Sequence, residues 1–301
     1  MKGLVWMIEY DRLERRGKEK YLDRAVLAGR GYVRRRLLGT GTFSDVYCVE
    51  DIADGKRYAC KVSSQVEMLE REARILEGLR HPIYPGFTAF VREAGLGLLL
   101  REYVEGYSLE EVLKRRRFSA GQTVRTGLML ADGLWYLHQL PERFLFRDVK
   151  PANIIVMQDG RVRLIDLGCV CSMAEEVTSR AGSPGFAAPE QLQAGGCLTA
   201  ACDVYGLGKT LEAMLGEGKQ GGRKYPADGP AMTGWHGMMP ACRRKRTGLQ
   251  KAGLRRRPFQ EQRMERRLRR VLASCTEKEV GKRIADMKEV MQALAAKSLS
   301  S

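Results

Sequence analysis

The hydrophobic and polar positions change their rhythm near Val104. From Tyr32 to Leu100 the pattern is strand-like and broken by one helical stretch, and beyond Val104 it is helical. The run YVRRRLLGTGTFSDVYCVEDIADGKRYACKV predicts strand, glycine turn, strand, Asp54-Gly55 turn, strand. Ser64 and Glu67 have the spacing of a capping box and predict a helix running to about Leu79. GFTAFVREAGLGLLLREYV predicts two further strands. SLEEVLKRRR and AGQTVRTGLMLADGLWYLHQL predict helices, with more on either side of a basic stretch. Strands followed by helices predict an α+β protein in two lobes: a small antiparallel β lobe with one helix, and a larger, mainly α-helical lobe. Residues 1–29 show no clear period and read as an N-terminal extension. Residues 30–104 form the first lobe, 105–297 the second, and 298–301 a tail. No internal repeat is visible.

Composition supports a folded chain. At 301 residues, 44% hydrophobic and 29% charged, it can bury one large core or two lobes and does not have the makeup of a disordered segment. No apolar run approaches the ~20 residues needed to cross a bilayer. The start, MKGLVWMIEYDR, holds too short an apolar patch for a secretory signal. The eight cysteines are scattered without a C-x-x-C pair, and Cys169-Val170-Cys171 lacks nearby partners for zinc. Reduced thiols and a cytoplasmic location are the expectation.

Charge changes the picture in one place. Of the net +16, residues 216–270 carry +12, from sixteen Lys/Arg against four Asp/Glu. Three readings stand: a solvated loop with one charged helix face, a dock for an acidic partner protein, or a contact to nucleic acid or an anionic membrane surface. From Arg243 to Arg270 the only aromatic is Phe259, which weighs against stacking on single strands.

The candidate chemistry lies on three stretches. Gly39 and Gly41 sit between two strands, where backbone N–H groups can approach phosphate oxygens with no Cβ in the way. Twenty residues after Gly41, Lys61 interrupts the apolar strand YACKV and needs a partner if buried. Glu72 is the natural one. It falls inside the stripe Val66, Leu69, Ala73, Leu76 and Leu79, whereas Glu67, Glu70 and Glu77 lie at other angles. The third stretch is FLFRDVKPANIIV, with Asp148, Lys150 and Asn153, followed by Asp166 in RLIDLG. Asn153 and Asp166 offer hard oxygens of the kind Mg2+ prefers. Asp148 and Lys150 suit a hydroxyl nucleophile and a transferring phosphate.

Together GTGTFSDV, ACK, LRHP, EYVEG, FRDVKPAN, DLG, SPGFAAPEQL and DVYGLG resemble the eukaryotic-type serine/threonine protein kinases of the soluble bacterial kind, over roughly residues 30–297. Lys150 with Pro151 matches the Ser/Thr branch. The resemblance implies ATP with Mg2+ or Mn2+ as cofactors and a protein hydroxyl as acceptor, with autophosphorylation. Gly39, Thr40, Gly41, Thr42, Phe43 and Ser44 then cover the phosphates, and Lys61, paired to Glu72, holds them. Leu38, Val46, Ala59 and Ile155 sandwich adenine, and the backbone of Glu102 and Val104, in the hinge, reads its edge. Asp148 accepts the hydroxyl proton, Lys150 neutralises phosphate charge, and Asn153 and Asp166 hold the metal. Glu190 pairs with Arg283, and Asp203 anchors the catalytic loop.

Several positions depart from the family pattern. Phe146 replaces the histidine of H-R-D and reads as a packing substitution in an apolar column with Leu167 and Leu76. Only ten residues separate Lys61 from Glu72, which implies a short connection into the helix. Arg101 falls at the gatekeeper position before the hinge. It points to solvent if the register is off by one; otherwise its guanidinium reaches Glu72 or Asp166 in competition with Lys61. Arg147 precedes Asp148 as in kinases ordered by loop phosphorylation. The candidate acceptors are Ser172, Thr178, Ser179 and Ser183, with Thr178 or Ser179 favoured. Ser108 and Ala152 are not acidic, so a basic peptide is a poor substrate and an acidic one is expected. The alternative function is a pseudokinase, a nucleotide-responsive scaffold that docks an acidic partner through 216–270.

Overall fold

In the computed structural model, residue 10 and residues 13–175, 181–193, 198–216 and 259–296 are described. The chain divides into two compact units, Met1–Val104 with Ile165–Gly168, and Glu105–Leu164 with Cys169–Ser301.

The first unit is built on five antiparallel strands: β1 (Tyr32–Thr40), β2 (Asp45–Asp51), β3 (Arg57–Ser63), β4 (Phe87–Glu93) and β5 (Leu96–Glu102), in the order β1-β2-β3-β5-β4. Gly55, at φ 71°, closes the β2–β3 hairpin where the Asp-Gly pair predicted it. The register sorts the central strands onto two faces. Cys60 lies opposite Tyr47 and Leu100, and Val62 opposite Leu98, so these five apolar residues share one face. Lys61 lies opposite Val46 and Leu99, and Ala59 opposite Arg101, on the other.

The segment before β1 is more than an extension. A helix, α1 (Arg15–Leu22), runs into a π-helical turn at Asp23–Leu27, and Tyr10, Leu22 and Leu27 pack with Tyr47, Val49, Cys60, Val62, Leu98 and Leu100. The sequence hides this because α1 is almost entirely polar and buries only Leu22. The π turn then shifts the phase, so Leu27 follows at a spacing that no 3.6-residue period picks out.

Helix α2 (Val66–Gly78) buries Val66, Leu69, Ala73 and Leu76 of the predicted stripe with the carboxylate of Glu72, and Ile75 besides, while Leu79 is buried as the residue that ends the helix. The predicted capping box does not form. The helix starts two residues after β3, with Gln65 before it and no side-chain cap. The hydroxyl of Ser63 instead accepts from Gln65 N, and Glu67 turns out to Arg92. Ser64 lies one residue before the N-cap, Gln65, and so misses the capping position.

The second unit begins with β6 (Tyr107–Ser108) and α3 (Leu109–Arg115), then α4 (Ala120–Gln139), whose residues Leu130, Ala131, Leu134 and Leu137 are fully buried. Serines cap both helices in capping boxes, Ser108 with Glu111 and Ser119 with Gln122. Short strands β7 (Phe144–Leu145), β8 (Ile154–Val156), β9 (Val162–Leu164) and β10 (Cys171–Ser172) follow, paired as β6-β8-β9 and β7-β10. They clamp both ends of the loop holding Asp148. Helices α5 (Ala201–Leu215), α6 (Phe259–Cys275) and α7 (Met287–Ala295) complete the unit. Most of the basic stretch, 217–258, lies outside the described residues. Its last turns form α6, which buries Leu268, Leu272 and Cys275 and exposes Arg263, Arg266, Arg269 and Arg270. Among the described residues no helix is long and apolar enough to cross a membrane.

Candidate active site

In the sheet unit, Lys61 is 8% exposed and its ammonium has two carboxylates, Glu72 Oε2 at 2.6 Å and Asp166 Oδ1 at 2.9 Å. The two-residue link to α2 therefore still lets the Lys61–Glu72 pair form. Burial pulls the Lys61 pKa down, and the two carboxylates more than offset it, leaving the group above its usual value. Burial likewise raises Asp166, but attraction to Lys61, the hydrogen bonds from Lys61 and Gly168 N–H, and the Arg101 charge bring it down to about 2. Gly168 closes this cluster. A Cβ there would lie 3.2 Å from Asp166 Oδ1 and 3.4 Å from both Glu72 Oε2 and Lys61 Nζ, so the space beside the three charged groups exists because the residue is glycine.

The loop between β1 and β2 is shaped from within. Gly41 N donates to Ser44 O at 2.7 Å, and the Ser63 hydroxyl donates to Phe43 O at 2.6 Å. Phe43 is 59% exposed at its tip, and Gly39, Thr40, Gly41 and Thr42 are exposed beside it. Leu38 sits in a bulge of β1 between Leu37 and Gly39, half-buried like Val46, while Ala59 is buried on the Lys61 face. Glu102 N donates to Gly86 O, and Val104 follows at the end of the unit, half-buried. Arg101 is buried, on the face of Lys61, which excludes the solvent-facing reading. It does not displace Lys61 either. Its guanidinium donates to the main-chain carbonyl of Ile165, while Lys61 keeps both carboxylates.

The helical unit holds the second group. Asp148 is buried, and Lys150 Nζ lies 2.7 Å from its Oδ2 and 2.5 Å from Ser183 Oγ. Asn153 Nδ2 donates to the Asp148 carbonyl and to its Oδ2, both at 3.0 Å. Among the described residues Asp148 Oδ1 has no hydrogen-bond partner although it is buried. A buried carboxylate oxygen without a donor is costly. With Nδ2 turned to Asp148, Asn153 presents the oxygen of its amide elsewhere. Ile155, on β8, is half-buried.

Asp203 fixes this loop. Its carboxylate, on α5, accepts from Phe146 N at 2.8 Å and Arg147 N at 2.7 Å, and lies 2.8 Å from His138 Nε2. Arg147 is held in the left-handed region at φ 67°, and Gln191 Nε2 donates to its carbonyl at 2.8 Å. Arg283 grips Glu190 with both terminal nitrogens, at 2.5 and 3.0 Å, as expected of that pair. Phe146 is completely buried, and Leu76 and Leu167 are each 3% exposed. Ser108 is occupied as the α3 cap. Thr178 and Ser179 lie outside the described residues, while Ser172 donates to Glu142 O. Among the described residues no cluster of three or more His, Cys, Asp or Glu is placed to hold a metal.

The motifs did not reveal the roles of His138 and Gln191. His138 stands near the end of a helix with no motif around it, and Gln191 has no signal beyond following Ala188-Pro189-Glu190.

A family model for the protein kinase domain matches residues 32–295. CBL-interacting protein kinase 16 of Oryza sativa subsp. japonica is 28% identical over 221 residues, which cover 67% of this chain and 48% of that protein. Serine/threonine-protein kinase pkn2 of Myxococcus xanthus is 30% identical over 226 residues, 69% of this chain and 26% of that one. Inactive serine/threonine-protein kinase PLK5 of Mus musculus is 31% identical over 200 residues, 62% and 33% respectively. The chain thus matches about half or less of each relative's length. Because one of the three is named inactive, the question of chemistry returns to the side chains.

Proposed function

The chain belongs to the protein kinase family, and from its side chains we propose that it is an active, ATP- and metal-dependent serine/threonine kinase. The observation that carries this reading is Asp148: Lys150 and Asn153 hold one carboxylate oxygen, and the other is buried without a donor. A serine or threonine hydroxyl supplies the missing donor. Asp148 then orients it and accepts its proton as the hydroxyl oxygen bonds to the γ-phosphorus and the bond from that phosphorus to the β–γ bridging oxygen breaks, releasing ADP. Lys150, between Asp148 and Ser183, offers its ammonium to the transferring phosphate.

The remaining residues fit a nucleotide and a divalent cation. Lys61, held by Glu72, suits the α- and β-phosphates, and the exposed backbone of Gly39–Ser44 suits the phosphate chain. The bonds to Asp166 described above converge on Oδ1, which leaves Oδ2 for a cation, and the Asn153 amide oxygen supplies a second hard donor. Mg2+ or Mn2+, when bound, neutralises charge on the phosphates. Leu38, Val46, Ala59 and Ile155, with the backbone of Glu102 and Val104, are assigned to adenine. Autophosphorylation at Thr178 or Ser179, an acidic protein substrate, an acidic partner for 216–270 and a reducing, cytoplasmic setting belong to the same reading.

The test is transfer from labelled ATP with Mg2+ or Mn2+ to the protein itself and to casein, comparing wild type with Asp148→Asn. The wild type is expected to label both, and the variant to lose about 100-fold or more. If ATP binds and neither protein labels, the catalytic reading fails and a nucleotide-responsive scaffold takes its place.

A further inference from the structure

On β5 the sequence Leu98-Leu99-Leu100-Arg101 places a guanidinium where an apolar side chain would continue the strand. Arg101 is 6% exposed and lies diagonally across the sheet from Lys61, because Ala59 faces Arg101 and Lys61 faces Leu99. Four charged groups therefore cluster there: Lys61, Arg101 and Glu72, all buried, and Asp166, whose side chain is partly exposed. They balance, but they are not bonded symmetrically. Lys61 takes both carboxylates. Arg101 feels the attraction of both, yet one terminal nitrogen donates to the carbonyl of Ile165, and its Nε has no hydrogen-bond partner among the described residues.

Burying a guanidinium while leaving one donor unmade is costly, and a leucine or methionine would fill the same space at no such cost. What the arginine adds is the bond to Ile165. That residue immediately precedes Asp166, so the carboxylate is fixed from three sides: by Lys61 and by Gly168 N–H on Oδ1, and by Arg101 through the main chain. We propose that Arg101 is a positioning residue that ties the Ile165–Gly168 segment to β5 and sets Asp166 in place before nucleotide arrives. The purpose of that tie rests on the kinase reading, which makes Asp166 a metal ligand; the tie itself does not.

Two substitutions separate this role from its rivals. Arg101→Met keeps length and apolar bulk and removes the charge. Arg101→Lys keeps the charge, but its single ammonium is drawn to the carboxylates of Glu72 and Asp166 and away from the carbonyl. Amide hydrogen exchange on the nucleotide-free, full-length protein is the primary readout. In both variants, exchange at the amides of Leu167 and Gly168 should rise about tenfold or more, the effect of losing one charge-assisted bond, with the amides of α2 unchanged. The Mg2+-ATP concentration that half-saturates a thermal-shift titration should rise in both as well.

Wild-type exchange in both variants would reduce Arg101 to a space-filler and overturn the proposal. Faster exchange in Arg101→Met alone would also overturn it, leaving a charge-balancing role only. If Arg101→Met does not fold, Arg101→Lys decides alone: faster exchange supports the tie and wild-type exchange refutes it. Exchange is read without nucleotide, so failure of the protein to phosphorylate anything would count against the kinase reading and leave this test standing.

Discussion

Asp203→Asn should cost the helical unit about 2 kcal/mol and slow phosphate transfer together. The Asp203 side chain is fully buried and accepts from two adjacent backbone N–H groups, Phe146 and Arg147, while His138 Nε2 meets the oxygen that Phe146 uses. Asparagine keeps one oxygen and turns an NH2 toward the other site, so one N–H loses a charged acceptor and faces a donor in a dry interior. A hydrogen bond to a charged group is worth about 1.5–3 kcal/mol, and the orphaned N–H adds its own desolvation cost, so 2 kcal/mol is a cautious figure. For a unit of this size, about 2–4 °C per kcal/mol gives a fall in Tm of about 4–8 °C. The two N–H groups belong to the residues just before Asp148, so the same change loosens the catalytic aspartate, and kcat should drop while KM for ATP holds. Differential scanning calorimetry and steady-state kinetics on the same preparation read both effects. A Tm within about a degree of wild type with kcat intact would refute the idea that this carboxylate holds the loop.

Glu72→Gln removes one of two carboxylates from Lys61, which can still reach Asp166. Transfer should fall about tenfold or more, with the loss visible in KM for ATP, because one strong charge-assisted contact goes. Acid should destabilise the metal-free sheet unit through Asp166. Its pKa lies near 2 against the usual 3.8, so its stabilising contribution is complete above about pH 4 and is lost as pH falls toward 2. With 42% of the side chain exposed, screening holds that contribution to about 1 kcal/mol, and in Asp166→Asn the stability difference from wild type should close over the same interval in a urea titration. Phe146→Ala opens a void at a completely buried ring and should cost about 3–5 kcal/mol in a thermal melt, confirming that the ring's work is packing.

Alternation and the helical stripe were enough to place Lys61 on a buried strand face and to select Glu72 from four glutamates in one helix, because both follow from short-range periodicity. The same reasoning could not find the partners of Asp203, since His138 and Phe146 lie 65 and 57 residues away and no local pattern links them. The target of Arg101 was missed for a related reason. The sequence offered carboxylates as its natural partners, whereas it binds a main-chain carbonyl, which every residue carries and which leaves no mark in the sequence. The Ser64–Glu67 spacing misled because a capping box requires its serine at the helix boundary, and the two-residue link moved that boundary past it. Thr178, Ser179 and most of the basic stretch fall outside the described residues.

The packing of Tyr10, Leu22 and Leu27 onto the sheet has a practical consequence for where this protein can be cut. The family match begins at residue 32, and homology would place the edge of an expressible fragment there. A fragment starting at Tyr32 would leave Tyr47, Val49, Cys60, Val62, Leu98 and Leu100 uncovered on the face that α1 and its turn protect, an oily plate across the middle strands of a small sheet. Such a fragment should associate with itself or be held by chaperones, even though every catalytic side chain is present. For this protein the boundary shared with its relatives is not the boundary at which the chain becomes self-sufficient, and the second lies upstream of the first.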